Sequence, residues 1–146
     1  MRVLTVARRP VSGRQAPTEP HSNRPIARLP HAAFIAELRA LEGTPPAVFE
    51  HEDLLELVLP ILRADIRAAE DYVLTSGPPL EIPIFAYGGI ADTETPPAKI
   101  EPWRAQAAGA FATRFFAGGH FFVHGAEPAL LAALRTDLAL AFMLAA

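Results

Sequence analysis

Ile82-Pro83-Ile84-Phe85-Ala86-Tyr87-Gly88-Gly89-Ile90-Ala91-Asp92 is the stretch on which the fold turns. Its opening six residues form a short apolar run, bounded upstream by Ser76-Gly77-Pro78-Pro79 and downstream by two glycines. That is the signature of a strand buried on both faces, as in a parallel sheet. A second apolar run, Phe111 to Phe116, leads into Gly118-Gly119-His120-Phe121-Phe122. Between the two lie a Thr/Pro-rich loop and a short helical stretch around Trp103 to Ala108. After them, residues 127 to 143 read as a terminal helix carrying Leu130, Leu131, Leu134, Leu138 and Phe142. Strand, loop, helix, strand, loop, helix over the last 70 residues is an α/β order.

Upstream the texture changes. Phe34, Leu38 and Leu41 recur at helical spacings of four and three, closed by Gly43, Pro45 and Pro46. A second helical pattern places Leu54, Leu57, Val58, Ile61, Leu62 and Ile66 on one apolar stripe, and Pro60 inside it predicts a kink or a break into two helices. His31, His51, Asp65 and Glu70 read as solvated residues of these helices. Nearer the start, Val3 to Val6 and the pair Val11-Ser12 are β-prone pieces around an Arg8-Arg9-Pro10 turn, followed by a Pro-studded loop from Pro17 to Pro30. The division expected is 1–29 as a lead-in strand and loop, 30–76 as a helical segment, and 77–146 as the α/β core.

Composition narrows the function. Half the residues of this 146-residue chain are hydrophobic, so extensive disorder is disfavoured, and the length suits one modest domain or a piece of a larger one. The absence of cysteine removes disulfides, thiolate metal sites and cysteine nucleophiles. Twelve of the 13 basic residues are Arg and 28 residues are Ala, a pattern of GC-rich coding rather than of function. Residues 1 to 30 hold six Arg against Glu19, a net of +5, which leaves −8 on the remainder. No aromatic residue accompanies those arginines, so nucleic-acid binding is not expected. No apolar core of a signal peptide follows Met1, and Arg135 and Asp137 interrupt the apolar C-terminal run, so neither export nor a membrane span is expected. The chain reads as cytoplasmic.

Chemistry concentrates where two strands end. In open parallel sheets functional groups gather beyond the carboxyl ends of strands, and each of these two strands ends in a Gly-rich turn followed by an ionisable residue, Asp92 and His120. An acid and a histidine on neighbouring strand ends can hydrogen-bond, the carboxylate fixing the imidazole tautomer. Spacing alone leaves a plainer alternative open, in which Asp92 is a turn former and His120 a loop residue. His120 and His124 stand four apart, as helical zinc ligands can, but no third ligand is nearby and Phe121-Phe122 reads as packing. No metal or other cofactor is expected. Trp103 reads as packing on the sheet.

Several ordered strings carry a resemblance. Phe85-Ala86-Tyr87-Gly88-Gly89-Ile90-Ala91-Asp92, Glu101-Pro102-Trp103-Arg104 and Arg114-Phe115-Phe116-Ala117-Gly118-Gly119-His120-Phe121-Phe122 resemble, in order and spacing, the C-terminal half of the type II thioesterases of polyketide and nonribosomal peptide biosynthesis. Val11 to Pro17 looks like the segment where the family's sixth strand gives way to its lid. Leu29-Pro30, Glu37-Leu38-Arg39, Gly43-Thr44-Pro45-Pro46, Leu59-Pro60 and Leu62-Arg63-Ala64-Asp65 look like the lid itself. The resemblance implies the C-terminal part of an α/β-hydrolase parallel sheet with an inserted helical lid at 30–76, with Asp92 at the position of the catalytic acid and His120 at that of the catalytic histidine. It also implies a role in antibiotic-type biosynthesis, hydrolysing acyl-thioesters on the phosphopantetheine arm of an acyl or peptidyl carrier protein.

One departure is plain. The family's GxSxG nucleophile elbow and its oxyanion loop belong to the N-terminal half, and neither is present here. Ser12, Ser22 and Ser76 are the only serines, none in that motif, and Ser12 reads as a structural hydroxyl at a strand end. The chain is therefore expected to be a fragment, from a truncated gene, a late start or a frameshift, and inactive alone. A noncatalytic remnant or carrier-protein-binding module is the rival expectation. A split enzyme with its serine on a partner chain is the third, disfavoured because half a parallel sheet leaves a long unpaired edge.

Overall fold

The structure, a computed structural model, describes residues 9–20, 25–41 and 43–143. These residues fall into two compact units, one formed by 9–20 with 74–143, the other by 25–73.

The first unit is built on a parallel sheet. Strands β1 (Arg9–Ser12), β2 (Ile84–Gly89) and β3 (Phe111–Phe116) lie in the order β1-β2-β3. β2 is central and buried at every position, which is why its sequence shows no alternation of polar and apolar residues. Phe85 and Tyr87 face the C-terminal helices α5 (Phe122–Gly125) and α6 (Glu127–Met143), in a cluster with Phe122, Phe116, Leu130 and Leu134. The opposite face meets α4 (Pro97–Ile100), where a side chain on Gly88 would run into Ile100. A 3₁₀ helix, Glu101–Gln106, continues α4, so the short helical stretch sits nearer the N-terminus than Trp103 to Ala108. Pro97 and Pro102 explain the shift, each occupying a first turn, where a missing N–H costs nothing. The terminal helix begins and ends where the sequence puts it.

Two local expectations are corrected here. Arg9-Pro10 is not a turn but the first half of β1. Gly13 N donates to Tyr87 O (3.0 Å), so by the two-residue repeat of a strand Val11 also points its N–H toward β2 and Pro10 points away. Pro10 therefore removes no hydrogen bond from that ladder. Likewise Gly88 and Gly89 do not follow β2 but are its last two residues, and one further bond extends the ladder as Ile90 N donates to Phe116 O (2.8 Å). The Val3 to Val6 piece lies outside the described residues.

The second unit holds α1 (His31–Ala40), α2 (Pro46–Glu50) and α3 (Glu52–Glu70). Phe34 and Leu38 pack on Leu59, with Leu55, Leu62 and Ile66 of α3 and Ile26, Leu29 and Phe49 around them. The inward stripe of α3 is thus 55, 59, 62 and 66, whereas Leu57 (68% exposed) and Ile61 (58%) face outward. α3 also runs unbroken through Pro60. A proline inside a helix costs roughly 3 kcal/mol, but Pro60 is exposed and the packed stripe spans both sides of it, so a break would strip half of that stripe from α1. His31, His51 and Asp65 are exposed, as read from the sequence. Glu70 is not: its carboxylate accepts the backbone N–H groups of Ile26 (2.6 Å) and Ala27 (3.3 Å). Arg63 donates to the carbonyls of Ala27 and Leu29 while lying over the Phe34 ring. Among the described residues no helix is long and apolar enough to cross a membrane.

Candidate active site

β2 and β3 end side by side, Gly89 opposite Phe116, so the loops that leave them start from one sheet edge. Ala91 N donates to Gly118 O (2.9 Å), joining the two loops before either reaches its ionisable residue. This closeness demands glycine. A Cβ on Gly89 would collide with the carbonyls of Gly118 (2.6 Å) and Gly119, and Gly118 itself has φ +122°, where other residues are strained.

The arrangement brings Asp92 and His120 together. Asp92 Oδ2 stands 2.9 Å from His120 Nδ1, while Oδ1 accepts the backbone N–H groups of Glu94 (2.9 Å) and Thr95 (2.8 Å). The two readings of Asp92 are both true, one oxygen for each. Its side chain is fully buried and that of His120 is 33% exposed. A carboxylate only accepts, so this contact selects the neutral imidazole tautomer that carries its proton on Nδ1 and leaves the Nε2 lone pair free. That is the geometry of an oriented general base.

Gly13 completes the setting. A Cβ there would stand 3.6 Å from His120 Cε1, and its φ of +57° turns the chain away after β1. Thr95 Oγ1 donates to Gly13 O (3.4 Å), linking this turn to the Asp92 loop. Ser12 is the last residue of β1, on a strand that leads into a loop rather than a helix, and so is not in an elbow of the GxSxG kind. Phe121 meets His120 edge-on at 5.2 Å and stacks on His124 at 6.2 Å, which gives His124 an aromatic partner. Trp103 is half-buried, with its indole N–H donating to Arg14 O (2.9 Å).

A buried network near the site escaped the sequence reading. Asp137 of α6, whose side chain is 2% exposed, accepts from the Tyr87 hydroxyl (2.7 Å) and from Arg114 Nε (2.8 Å), with a second ion-pair contact between its Oδ1 and Arg114 Nη2. The Arg114 guanidinium holds the Asp137 carboxyl below its ordinary range, and Asp137 in turn raises Arg114. Burial, then the bond to Asp137, pushes the Tyr87 hydroxyl above its ordinary 10. The sequence did carry a signal: one acid on the helix face shared by Leu130 and Leu134, and one arginine inside an otherwise uncharged strand.

Comparison with known proteins bears on this geometry. Over 130 residues the chain is 38% identical to the linear gramicidin dehydrogenase LgrE of Brevibacillus parabrevis, covering 87% of this chain and 49% of that protein. It is 39% identical over 114 residues to the thioesterase PikA5 of Streptomyces venezuelae, covering 78% and 40%. Among solved structures, the RedJ thioesterase of the prodiginine pathway in Streptomyces coelicolor superposes with a TM-score of 0.79 at 34% identity, covering 89% of this chain and 52% of RedJ. The chain spans about half the length, or less, of the curated relatives it matches. The three-stranded parallel sheet is part of the α/β-hydrolase fold of these neighbours. With the thioesterase domain profile matching residues 2–138, sheet, loops and paired acid and histidine included, this chain is a member of the thioesterase domain family.

Proposed function

We propose that this chain carries the acid and the base of a type II thioesterase that clears acyl groups from carrier proteins of polyketide or nonribosomal peptide assembly lines. The observation behind this reading is the Asp92 Oδ2 to His120 Nδ1 contact of 2.9 Å at the carboxyl ends of adjacent parallel strands. In the reaction, His120 Nε2 takes the proton of a serine hydroxyl as its oxygen attacks the thioester carbonyl. The C–S bond then breaks and the same proton passes to the departing thiol. His120 next takes a proton from water, whose oxygen attacks the acyl-serine ester, and returns it to the serine. Asp92 orients the ring and stabilises the imidazolium formed in each half. The helices of 30–76 serve as the lid over the acyl chain, on the strength of the lid-like strings they carry.

The serine itself has no place in a GxSxG motif on this chain, so the chain alone does not turn over. That same absence supports a second reading, a noncatalytic module that still binds a carrier protein. One experiment separates them. Acyl-thioester hydrolysis is measured for the chain alone and after mixing with the separately expressed GxSxG-bearing N-terminal segment of a family member. Hydrolysis only in the mixture, abolished by His120→Ala, supports the first reading. Carrier-protein binding without hydrolysis in either case supports the second, and hydrolysis by the chain alone that His120→Ala removes would overturn the claim that it lacks a nucleophile.

A further inference from the structure

Tyr87 and Arg114 are direct partners in the β2–β3 register, and both side chains reach the same carboxylate on α6. A parallel backbone ladder repeats every two residues and does not by itself choose among registers. A side-chain contact that engages one residue from each strand does choose. Asp137 meets Arg114 through two guanidinium nitrogens, a fork that fixes direction as well as distance.

Tyr87 extends this grip toward the site in two ways. Its ring lies 6.1 Å from that of Phe116, which stacks on Phe122 at 5.5 Å with the planes 2° apart. Phe122 follows His120 by two residues, and its N–H closes the loop onto Gly119 O (3.1 Å). The Tyr87 carbonyl, meanwhile, accepts from Gly13 N (3.0 Å), the residue flanking the His120 ring. One residue thus has its hydroxyl on Asp137, its ring on the packing beneath the histidine loop, and its carbonyl on the turn beside the imidazole.

We infer that Asp137 is a positioning residue: by holding Tyr87 and Arg114 at one register position it sets the alignment of the strand ends from which Asp92 and His120 project. The inference rests on the acid–base reading of those two residues proposed above. A buried ion pair is weak support for stability against well-packed apolar side chains, whereas fixing one arrangement among near-equals is a role apolar packing fills poorly.

The test reads the imidazole directly in the full chain. In ¹⁵N-labelled protein, the His120 Nδ1–H resonance is identified by its loss in His120→Gln, and its exchange with water is measured in wild type, Asp137→Asn and Tyr87→Phe. Each variant is compared with wild type brought to the same stability by urea, so that general loosening is subtracted. Exchange at least threefold faster than the matched wild type is the expected result. A smaller change overturns the inference and leaves Asp137 as a tether for α6. If Asp137→Asn does not fold, Tyr87→Phe, which lacks a single hydroxyl, decides alone. A wild type with no protected Nδ1–H overturns this inference and the acid–base reading together, while a chain that fails only to hydrolyse thioesters leaves the imidazole readout standing.

Discussion

Asp92 and His120 are 28 residues apart in the chain, and their side chains meet at 2.9 Å because β2 and β3 are parallel neighbours whose loops are joined at Ala91 N and Gly118 O. Asp92 spends its two oxygens on different tasks, the turn and the imidazole, and the two can be separated by substitution.

Asp92→Asn is expected to keep the turn and lose the chemistry. An amide oxygen at Oδ1 still accepts from Glu94 and Thr95, so the melting temperature changes little, but an amide nitrogen facing Nδ1 favours the wrong tautomer. In the complemented enzyme kcat is expected to fall by roughly four orders of magnitude. Kinetics beside a thermal melt check both halves, and an unchanged kcat would refute the role of Asp92.

Gly89→Ala is expected to destabilise the first unit by more than about 2 kcal/mol, at the upper end of overpacking costs, because its Cβ meets backbone carbonyls that cannot rotate aside. Urea unfolding monitored by tryptophan fluorescence measures it. Gly125→Ala, with open space around its Cβ, is the control and should lie within about 0.5 kcal/mol of wild type.

The Asp137 network predicts losses of stability at both ends of the pH scale. The folded carboxyl is held below its unfolded value of about 3.9, so its contribution is full above that pH and is lost as pH falls through the lower folded value. The Tyr87 hydroxyl is raised, so its contribution is full below pH about 10 and is lost as pH climbs toward the folded value. Melting temperatures across pH should show a shallower acid limb for Asp137→Asn and a shallower alkaline limb for Tyr87→Phe.

On α3, Leu59→Ala is expected to cost about 2–5 kcal/mol and Leu57→Ala less than about 0.5, although both are leucines one helical turn or less from Pro60. Pro60→Ala should raise the melting temperature of the second unit, since it restores a helix hydrogen bond at an exposed position. A Leu57→Ala loss equal to that of Leu59→Ala would mean that the helix is rotated.

What could be read beforehand followed from local signals. The all-apolar run of β2 announced a two-faced burial, and glycine followed by an ionisable residue marked Asp92 and His120. The inward face of α3 was not legible in the same way, because Leu54, Leu55, Leu57, Val58, Leu59, Ile61 and Leu62 put apolar side chains most of the way round and leave periodicity with two solutions. Only the partners Phe34 and Leu38 select 55, 59, 62 and 66. The Tyr87–Asp137 bond spans 50 residues, with four elements between its partners, a distance at which no pattern of spacing operates.

The topology carries one more implication. The chain leaves the sheet after β1 and re-enters it at β2, yet these strands are immediate neighbours, and the whole helical unit of 25–73 is threaded through that single connection. For a flexible connection, doubling its length adds only about 0.6 kcal/mol of closure entropy, so the sheet is nearly indifferent to what is inserted there. Asp92 and His120 both follow the re-entry point. The architecture is therefore modular: the inserted segment can be shortened, lengthened or exchanged while the Asp92–His120 contact stays where β2 and β3 put it.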